Sequence, residues 1–433
     1  MGESEGGEDR DEEITLDEDE ALLEERKART DPAVDPTVTP GDEKYKRWEG
    51  KRGRILMIVT AAGLCSALST SIFLPAVPAI MRDLNTNEFM VSLTVSVFFL
   101  LLGTLPMGWG PLSDRYSRRK AVLGGVLIHC VTSILCGFSW SIESLIAFRV
   151  LQALGGSSLL VLGAGTVSDI YPPEIRGDAL GIYTMAPSVG PVIGPVIGGV
   201  IAEYLGWKAI FFTLSIVSFT IFVVAFFVIP ETLYYPGVTY STSLFQVMTQ
   251  PLRFLGNPIV LALCLCNALC HATSITMLLL YPTLLERYGF STLILGICYI
   301  PFGVGAVSGA KIGGVLCDKF NSLFGRGGRL LTSQYGVTIF PLCALLFGYA
   351  VYPLWILILS LGISGFFFSL QRPGVYAFLI EMFPNQSSSI SATLLFVQYL
   401  LGFIGLTLGP LIWNTNERRV LFFGTAGALA FLL

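Results

Sequence analysis

The chain has 433 residues, 53% of them hydrophobic and only 13% charged, with a mean hydropathy of +0.68. That composition excludes a water-soluble globular surface. The charge is also uneven: residues 1–54 hold 18 of the 31 acids and 10 of the 27 bases, and the remaining body is sparsely charged and net positive, as suits a protein surrounded by lipid.

The first 54 residues run from an acidic, Gly-containing stretch (2–25) to a basic one (44–54). Few of them could build a core, so residues 1–54 are predicted to be a disordered cytoplasmic tail. The basic run next to the first span reads first as a topology anchor, with contact to anionic lipid as the alternative. From residue 55 onward, apolar stretches of about 20 residues predict twelve helical spans. They are 55–80, 89–109, 121–140, 143–168, 178–202, 207–229, 257–280, 292–313, 330–350, 354–378, 389–412 and 419–433. The last is short: its helix would rise only about 22 Å, so it ends inside the bilayer or the chain is cut there.

Lys and Arg resist translocation and mark the cytoplasmic side. With the tail inside, Arg115, Arg118, Arg119, Lys120, Arg176, Arg253, Lys319, Arg326 and Arg329 fall on the tail side, and Lys311 can snorkel there. Arg82, Lys208, Arg287, Arg418 and Arg419 fall opposite. Trp109, Trp140, Trp207, Trp355 and Trp413 lie near span ends, where amphipathic rings prefer the headgroup level. The sequon Asn385-Gln386-Ser387 falls in a tail-side loop and should stay unmodified.

The nine cysteines lie in or beside spans and read as small buried hydrophobes, not as a disulfide framework. Cys264, Cys266, Cys270 and His271 resemble a metal cluster, but only Cys266 and Cys270 share a helix face. No metal, no cofactor, no nucleic-acid partner and no enzyme activity are expected. No Gly-rich nucleotide loop is present, so an ATP-driven pump would need a motor on a separate chain.

Two loops repeat a pattern. Gly110-Pro-Leu-Ser-Asp114-Arg115 follows span 2 and Gly314-Val-Leu-Cys-Asp318-Lys319 follows span 8, 204 residues later. Each falls between the second and third span of a six-span half, which implies a parallel duplication. The expected organisation is an N-terminal bundle (55–229), a cytoplasmic connector (230–256) and a C-terminal bundle (257–433).

Three stretches resemble the major facilitator superfamily: GPLSDRYSRRKAVL (110–123), LIAFRVLQALG (145–155) and GPVIGPVIGG (190–199). Ser117 and Ala153 stand where that family usually has Gly. STSIFLPAVP (69–78), VSLTVSV (91–97), PETL (230–233) and PFGVG (301–305) look like the fungal quinidine-resistance and dityrosine-exporter branch of the twelve-span drug:proton antiporters. The resemblance implies an all-α polytopic membrane protein with the major facilitator fold, two parallel six-helix bundles around a central cavity. It also implies proton-coupled export of small molecules. Asp114, Arg115, Arg118 and Asp318 then belong to gating loops, and Arg149 matches the span 4 Arg linked to proton coupling. Gly190, Gly194, Pro195, Gly198 and Gly199 match the span 5 element that seals an ion leak.

The residues themselves add to this. A guanidinium inside a span is costly and faces a cavity or a partner, so Arg149 is a coupling residue or a structural one bonded to carbonyls. Pro187, Pro191 and Pro195 recur every four residues, as do Gly190, Gly194 and Gly198. That pattern predicts a bent helix which a neighbour approaches closely. Asp169, Glu174 and Arg176 are placed to pair with Arg118–Lys120 in an access-dependent network. His271, in a polar stretch of span 7, is a cavity residue and candidate proton acceptor, whereas His129 reads as a hydrogen-bonded core histidine. No Asp or Glu falls near the middle of a span. Arg372 binds an anionic group or pairs with Glu381.

Polar and aromatic groups near mid-depth in spans 1, 2, 7, 10 and 11 are predicted to line the cavity: Ser71, Phe73, Ser96, Phe98, Asn267, His271, Phe367 and Gln398. Such a site suits amphiphilic or cationic substrates. The expected protein is a monomeric antiporter in the plasma membrane, N-terminus cytoplasmic, with protons, lipid and a small molecule as its partners. Its alternatives are a symporter or facilitator for a nutrient or organic anion, and a transport-dead receptor or scaffold.

Overall fold

The computed structural model describes residues 45–233, 249–325, 327–348, 353–383 and 387–412. Residues 1–44 of the predicted tail 1–54, most of the connector, Arg326, Asn385 and Gln386 of the sequon, Trp413 and the twelfth span lie outside these residues, as do the side chains of Glu174 and Pro187; residues 45–54, where disorder is expected, instead hold a buried Trp48 and the start of span 1 at Arg52. Predicted spans 1 to 11 are helical throughout most of their length. Among the described residues nine helices are long and apolar enough to cross a membrane, or ten if the two pieces of span 2 count as one. Span 5 adds the apolar part Val189–Leu205 of the helix Pro173–Leu205.

Local chemistry sets the ends of these helices. Side-chain caps open span 2 (Asn87), span 3 (Ser117), span 4 (Ser141), span 7 (Asn257) and span 8 (Ser291), each accepting from a backbone N–H of the first turn. Span 1 is interrupted after Ser71 by a 3-10 turn, Leu74–Ala76, before Val77–Asp83 resumes it. Span 2 bends by 42° between Glu88–Thr104 and Pro106–Arg115, where a proline N–H is missing from the ladder. It continues to Arg115, a turn and a half beyond the predicted end. Gly206, at φ 82°, lets the chain reverse between spans 5 and 6 with no intervening loop.

The packing is duplicated. Within the N-terminal half, span 1 packs on span 5, span 3 on span 4, and span 2 on span 4. The C-terminal half repeats this: span 7 on span 11, span 9 on span 10, and span 8 on span 10. Between the halves, span 2 meets span 11 and span 5 meets span 8, and the duplication exchanges these two contacts. Spans 8 and 10 approach so closely that a Cβ on Gly305, Gly309 or Gly313 would strike the backbone of Gly362, Phe366 or Leu370.

The tryptophans divide. Trp140 and Trp355 are exposed at span ends, as headgroup anchors would be. Trp207 instead is buried and donates to Asp83 Oδ2 at 2.9 Å, and Trp109 donates to the Leu154 carbonyl at 3.0 Å, so these two are interior struts.

Candidate functional site

At the tail-side end, Ser113, Asp114 and Arg118 close the corner between spans 2 and 3. Arg118 lies 2.6 Å from Asp114, donates from Nε to Asp169 Oδ2 at 3.0 Å, and donates to Ser113 Oγ at 2.6 Å. Ser117 caps the N-terminus of span 3 and donates to Glu231 of the PETL run, whose other oxygen accepts from the Arg118 backbone N–H at 3.1 Å. Burial pushes the Glu231 carboxyl up, but the hydrogen bonds from Ser117 and from backbone N–H groups outweigh it and hold the group below its ordinary value. Arg115 has no part in this cluster. Arg176 turns away from it, donating to the Tyr171 carbonyl and to the Tyr45 hydroxyl.

The same latch is built in the C-terminal half. Arg329, at the start of span 9, lies 3.2 Å from Asp318 and 2.6 Å from Glu381. Asp169 and Glu381 are each the penultimate residue of a 29-residue helix, so the two triads share the place of this acid, while Arg118 lies four residues after its Asp and Arg329 eleven after its own. Glu381 is therefore the partner of Arg329 and not of Arg372.

Arg149 sits in the far half of span 4 and is 1% exposed. Its Nη1 donates to the Ser69 carbonyl at 3.0 Å and to Gln152 Oε1 at 2.7 Å, while Nε and Nη2 have no hydrogen-bond partner. The guanidinium lies over the rings of Phe98 at 4.1 Å, Phe73 at 4.7 Å and Phe211 at 6.0 Å. Among the described residues no carboxylate pairs with it. Its partners reach further: Gln152 donates to Ser133, and Ser69 Oγ and Ser218 Oγ hold the two nitrogens of His129 at 2.8 and 2.7 Å. A buried polar chain thus links spans 1, 3, 4 and 6 to one permanent cation.

Phe73 and Phe98 are consequently walls of the Arg149 pocket and not open cavity lining. Ser71 is also buried, donating to the Gly190 carbonyl, and Ser96 is closed within its own helix. These four mid-depth positions line packed helix contacts.

The span 5 signature packs on two neighbours. A Cβ at Gly190 would meet Ala67, one at Gly194 would meet Ser71, and one at Gly198 would meet the Ile72 carbonyl, all on span 1. Gly199 faces the other half, where a Cβ would lie 2.8 Å from the Thr292 carbonyl, and the Pro195 carbonyl presses on Gly296. One turn on, Glu203 accepts from the backbone N–H groups of Thr292, at 2.8 Å, and Leu293, at 3.4 Å, capping span 8 across the gap. Among the described residues, the close glycine approaches between the halves fall at mid-depth or toward this far end, at Gly103, Gly199, Gly296 and Gly303.

At the central junction, His271 stands among Phe99, Phe368 and Tyr399, with ring centroids 6.0, 5.9 and 5.9 Å away. Both its nitrogens are buried without a partner. Asn267, one turn tailward, donates to Gln398 Oε1 at 3.2 Å. Phe367 is half-buried against Phe366 on the same span. The structure thus brings Asn267, His271 and Gln398 together, whereas the Phe367 carbonyl lies toward Gly336 of span 9 and its neighbour Phe368 is the ring that meets His271.

The sequence reading missed Glu203, Arg329 and the Ser69–Gln152–Ser133 chain, and gave Glu231 no role. The stripe Gly305, Gly309, Gly313 was visible at the same spacing as that in span 5. The Arg329 latch was hidden because eleven residues, not four, separate it from its Asp.

A family model described as Major Facilitator Superfamily matches residues 59–406. The "MFS antiporter QDR3" of Candida albicans is 37% identical over 179 residues, covering 41% of this chain and 26% of that relative. "Citrate exporter 1" of Aspergillus niger is 31% identical over 180 residues, covering 42% of this chain and 34% of the relative. The chain therefore spans about a quarter to a third of these curated relatives' length in alignment. The solved structure of a bacterial homolog to the human lysosomal transporter Spinster, inward-facing and unoccupied, superposes with a TM-score of 0.73 at 18% identity, over 88% of this chain and 96% of that one. With a matched region that runs from span 1 into span 11 and a fold duplicated in the same way, the chain belongs to the major facilitator superfamily.

Proposed function

We propose that the chain is a proton-coupled exporter of small organic molecules, working as a monomer in the plasma membrane with its N-terminal tail in the cytoplasm. The tail-side end is then cytoplasmic, and the conformation described is closed toward the outside. The observation that carries this reading is the far-end seal: span 5 lies glycine-to-backbone on span 1 and span 8, and Glu203 caps span 8 across the halves. A seal of that closeness suits an exchanger, which must not leak the ion it is coupled to. The relatives named as an antiporter and an exporter support the direction. Arg149 supports coupling, because a buried cation with two unpartnered nitrogens favours an anion or a polarised water beside it. His271, at the junction of the halves, is the titratable side chain best placed to carry the proton.

The test uses proteoliposomes with an acidic lumen. Antiport moves substrate inward as protons leave, and Arg149→Ala abolishes the flux while the protein still inserts. Substrate that follows the protons outward marks a symporter, and no flux with any compound marks a scaffold; either result overturns the proposal.

A further inference from the structure

Arg372 on span 10 is half-buried within the membrane-spanning part of the helix, and among the described residues no carboxylate pairs with it. Glu381, the nearby acid, is taken by Arg329 at 2.6 Å. The Arg372 guanidinium lies 5.7 Å from the Phe368 ring and 5.9 Å from the Tyr376 ring, one turn to either side. Phe368 in turn stands 5.9 Å from His271, so the cation and the imidazole flank one ring. Gln398 joins this cluster, bonded to Asn267 at 3.2 Å and to the Tyr376 hydroxyl at 3.5 Å. The N-terminal half roofs it: Phe99 packs on His271 and Tyr399, and Tyr399 rests on Gly103.

We propose that this cluster is the substrate site and that it takes a small organic anion, its carboxylate on Arg372 and its remaining polar groups on His271 and Asn267. Arg supplies a planar fork of donors that matches a carboxylate bidentately. His271 has both nitrogens buried and unpartnered, and Asn267 Oδ1 is a buried acceptor without a donor, so both are left for groups that the protein does not provide. A hydroxyl on the anion would satisfy either. A cationic substrate is disfavoured, because the cluster contains no acid and Arg372 would repel it. The exporter reading supplies only the direction of movement, and binding can be measured without it.

The experiment is equilibrium binding to the full chain in phosphatidylcholine nanodiscs, with citrate, neutral trimethyl citrate and tetraphenylphosphonium as probes. Citrate is expected to bind saturably, and Arg372→Gln to weaken it by about tenfold or more. Arg372→Lys keeps the charge but loses the bidentate fork, so its affinity should fall between those of wild type and Arg372→Gln. Equal citrate binding by wild type and Arg372→Gln overturns the proposal, as does trimethyl citrate or tetraphenylphosphonium binding as tightly as citrate. If Arg372→Gln does not fold, Asn267→Ala and Tyr376→Phe replace it, and an unchanged affinity in both overturns the site. A repeat with phosphatidylglycerol separates the sources of an anion: an Arg372-dependent signal from that lipid, without citrate binding, assigns the cluster to a headgroup and overturns the substrate reading. Failure of the pH-gradient assay with citrate binding intact would instead remove the exporter reading and leave this site standing.

Discussion

Two arginines lie inside the spans of this protein, and their surroundings differ in almost every respect. Arg149 is sealed between three phenylalanine rings and bonds only to neutral acceptors. Arg372 is half-buried, pairs with no carboxylate among the described residues, and lies against Phe368, the ring that also packs on the unpartnered His271. The first sits in the far half of span 4, where the bundles are pressed together. The second sits in the tail-side half of span 10, below the roof formed by Phe99 and Tyr399. They are not repeats of each other: Arg149 precedes the latch acid Asp169 by 20 residues and Arg372 precedes Glu381 by nine. The latches and the packing are duplicated, while the intramembrane cations differ, one set in a closed wall and one beside the proposed substrate site.

The largest effect expected is on this contrast directly. At Arg149 the planar guanidinium is stacked and forked, so Lys is a poor substitute, and Arg149→Lys should lower exchange by about tenfold or more in vesicles. At Arg372 Lys would lose the fork but keep the charge in a half-buried setting, so Arg372→Lys should lower anion transport by less than Arg149→Lys lowers exchange. Equal sensitivity of both sites to Lys would erase the distinction drawn between them.

Next in size is a test of what holds the Arg149 wall. Gly198→Ala places a methyl on the Ile72 carbonyl, which forces span 1, with Ser69 and Phe73, away from span 5. Overpacking of this kind costs about 1–3 kcal/mol, read as a lowered unfolding midpoint in detergent. Gly124→Ala meets nothing within 4 Å and should be neutral or slightly stabilising. The comparison sharpens if Gly198→Ala also removes exchange while citrate binding near Arg372 persists.

Much of this was legible in the chain. Span positions follow from composition, because lipid demands apolar length, and the span 2–3 corner follows from Gly110, Asp114 and Arg118 at fixed spacing. Arg149 and Arg372 announce themselves as charges where charge is expensive. The lining of the cavity was not legible. Ser71, Phe73, Ser96 and Phe98 were placed by depth, yet depth does not say which face a side chain takes. In a soluble helix polarity marks the outer face, whereas in a span both lipid and core are apolar and the periodic signal fades. The Glu203 cap and the Arg329–Glu381 pair join residues far apart in sequence, so only packing reveals them.

The paired latches give the next prediction. The Arg118 side chain is 10% exposed and its partner Asp169 19%, whereas Asp318 beside Arg329 is 80% exposed. Arg118→Ala should therefore cost about 2 kcal/mol of stability and Arg329→Ala about 1, because Arg329 keeps the part-buried Glu381 at 2.6 Å while its Asp318 contact is screened by water. Equal costs would show that the C-terminal latch is as desolvated as its counterpart.

The smallest effect expected is at Glu231, and its sign is fixed by the direction of its shift. The carboxylate is held below its ordinary value of 4.5 by Ser117 and by the N–H groups at the start of span 3. A carboxyl depressed on folding stabilises fully above that ordinary value and loses its contribution as pH falls through the lowered one. Glu231's contribution to wild-type unfolding midpoints should therefore be full and constant between pH 5 and 7 and decline only at more acid pH. Glu231→Gln should flatten that acid decline and leave a small, pH-independent loss at neutrality. No counterpart of Glu231 caps span 9 among the described residues, where the helix starts with Gly328 and Arg329. An acid decline that survives Glu231→Gln unchanged would move the titrating group elsewhere, and with it the claim that the N-terminal latch carries one more carboxylate than the C-terminal one.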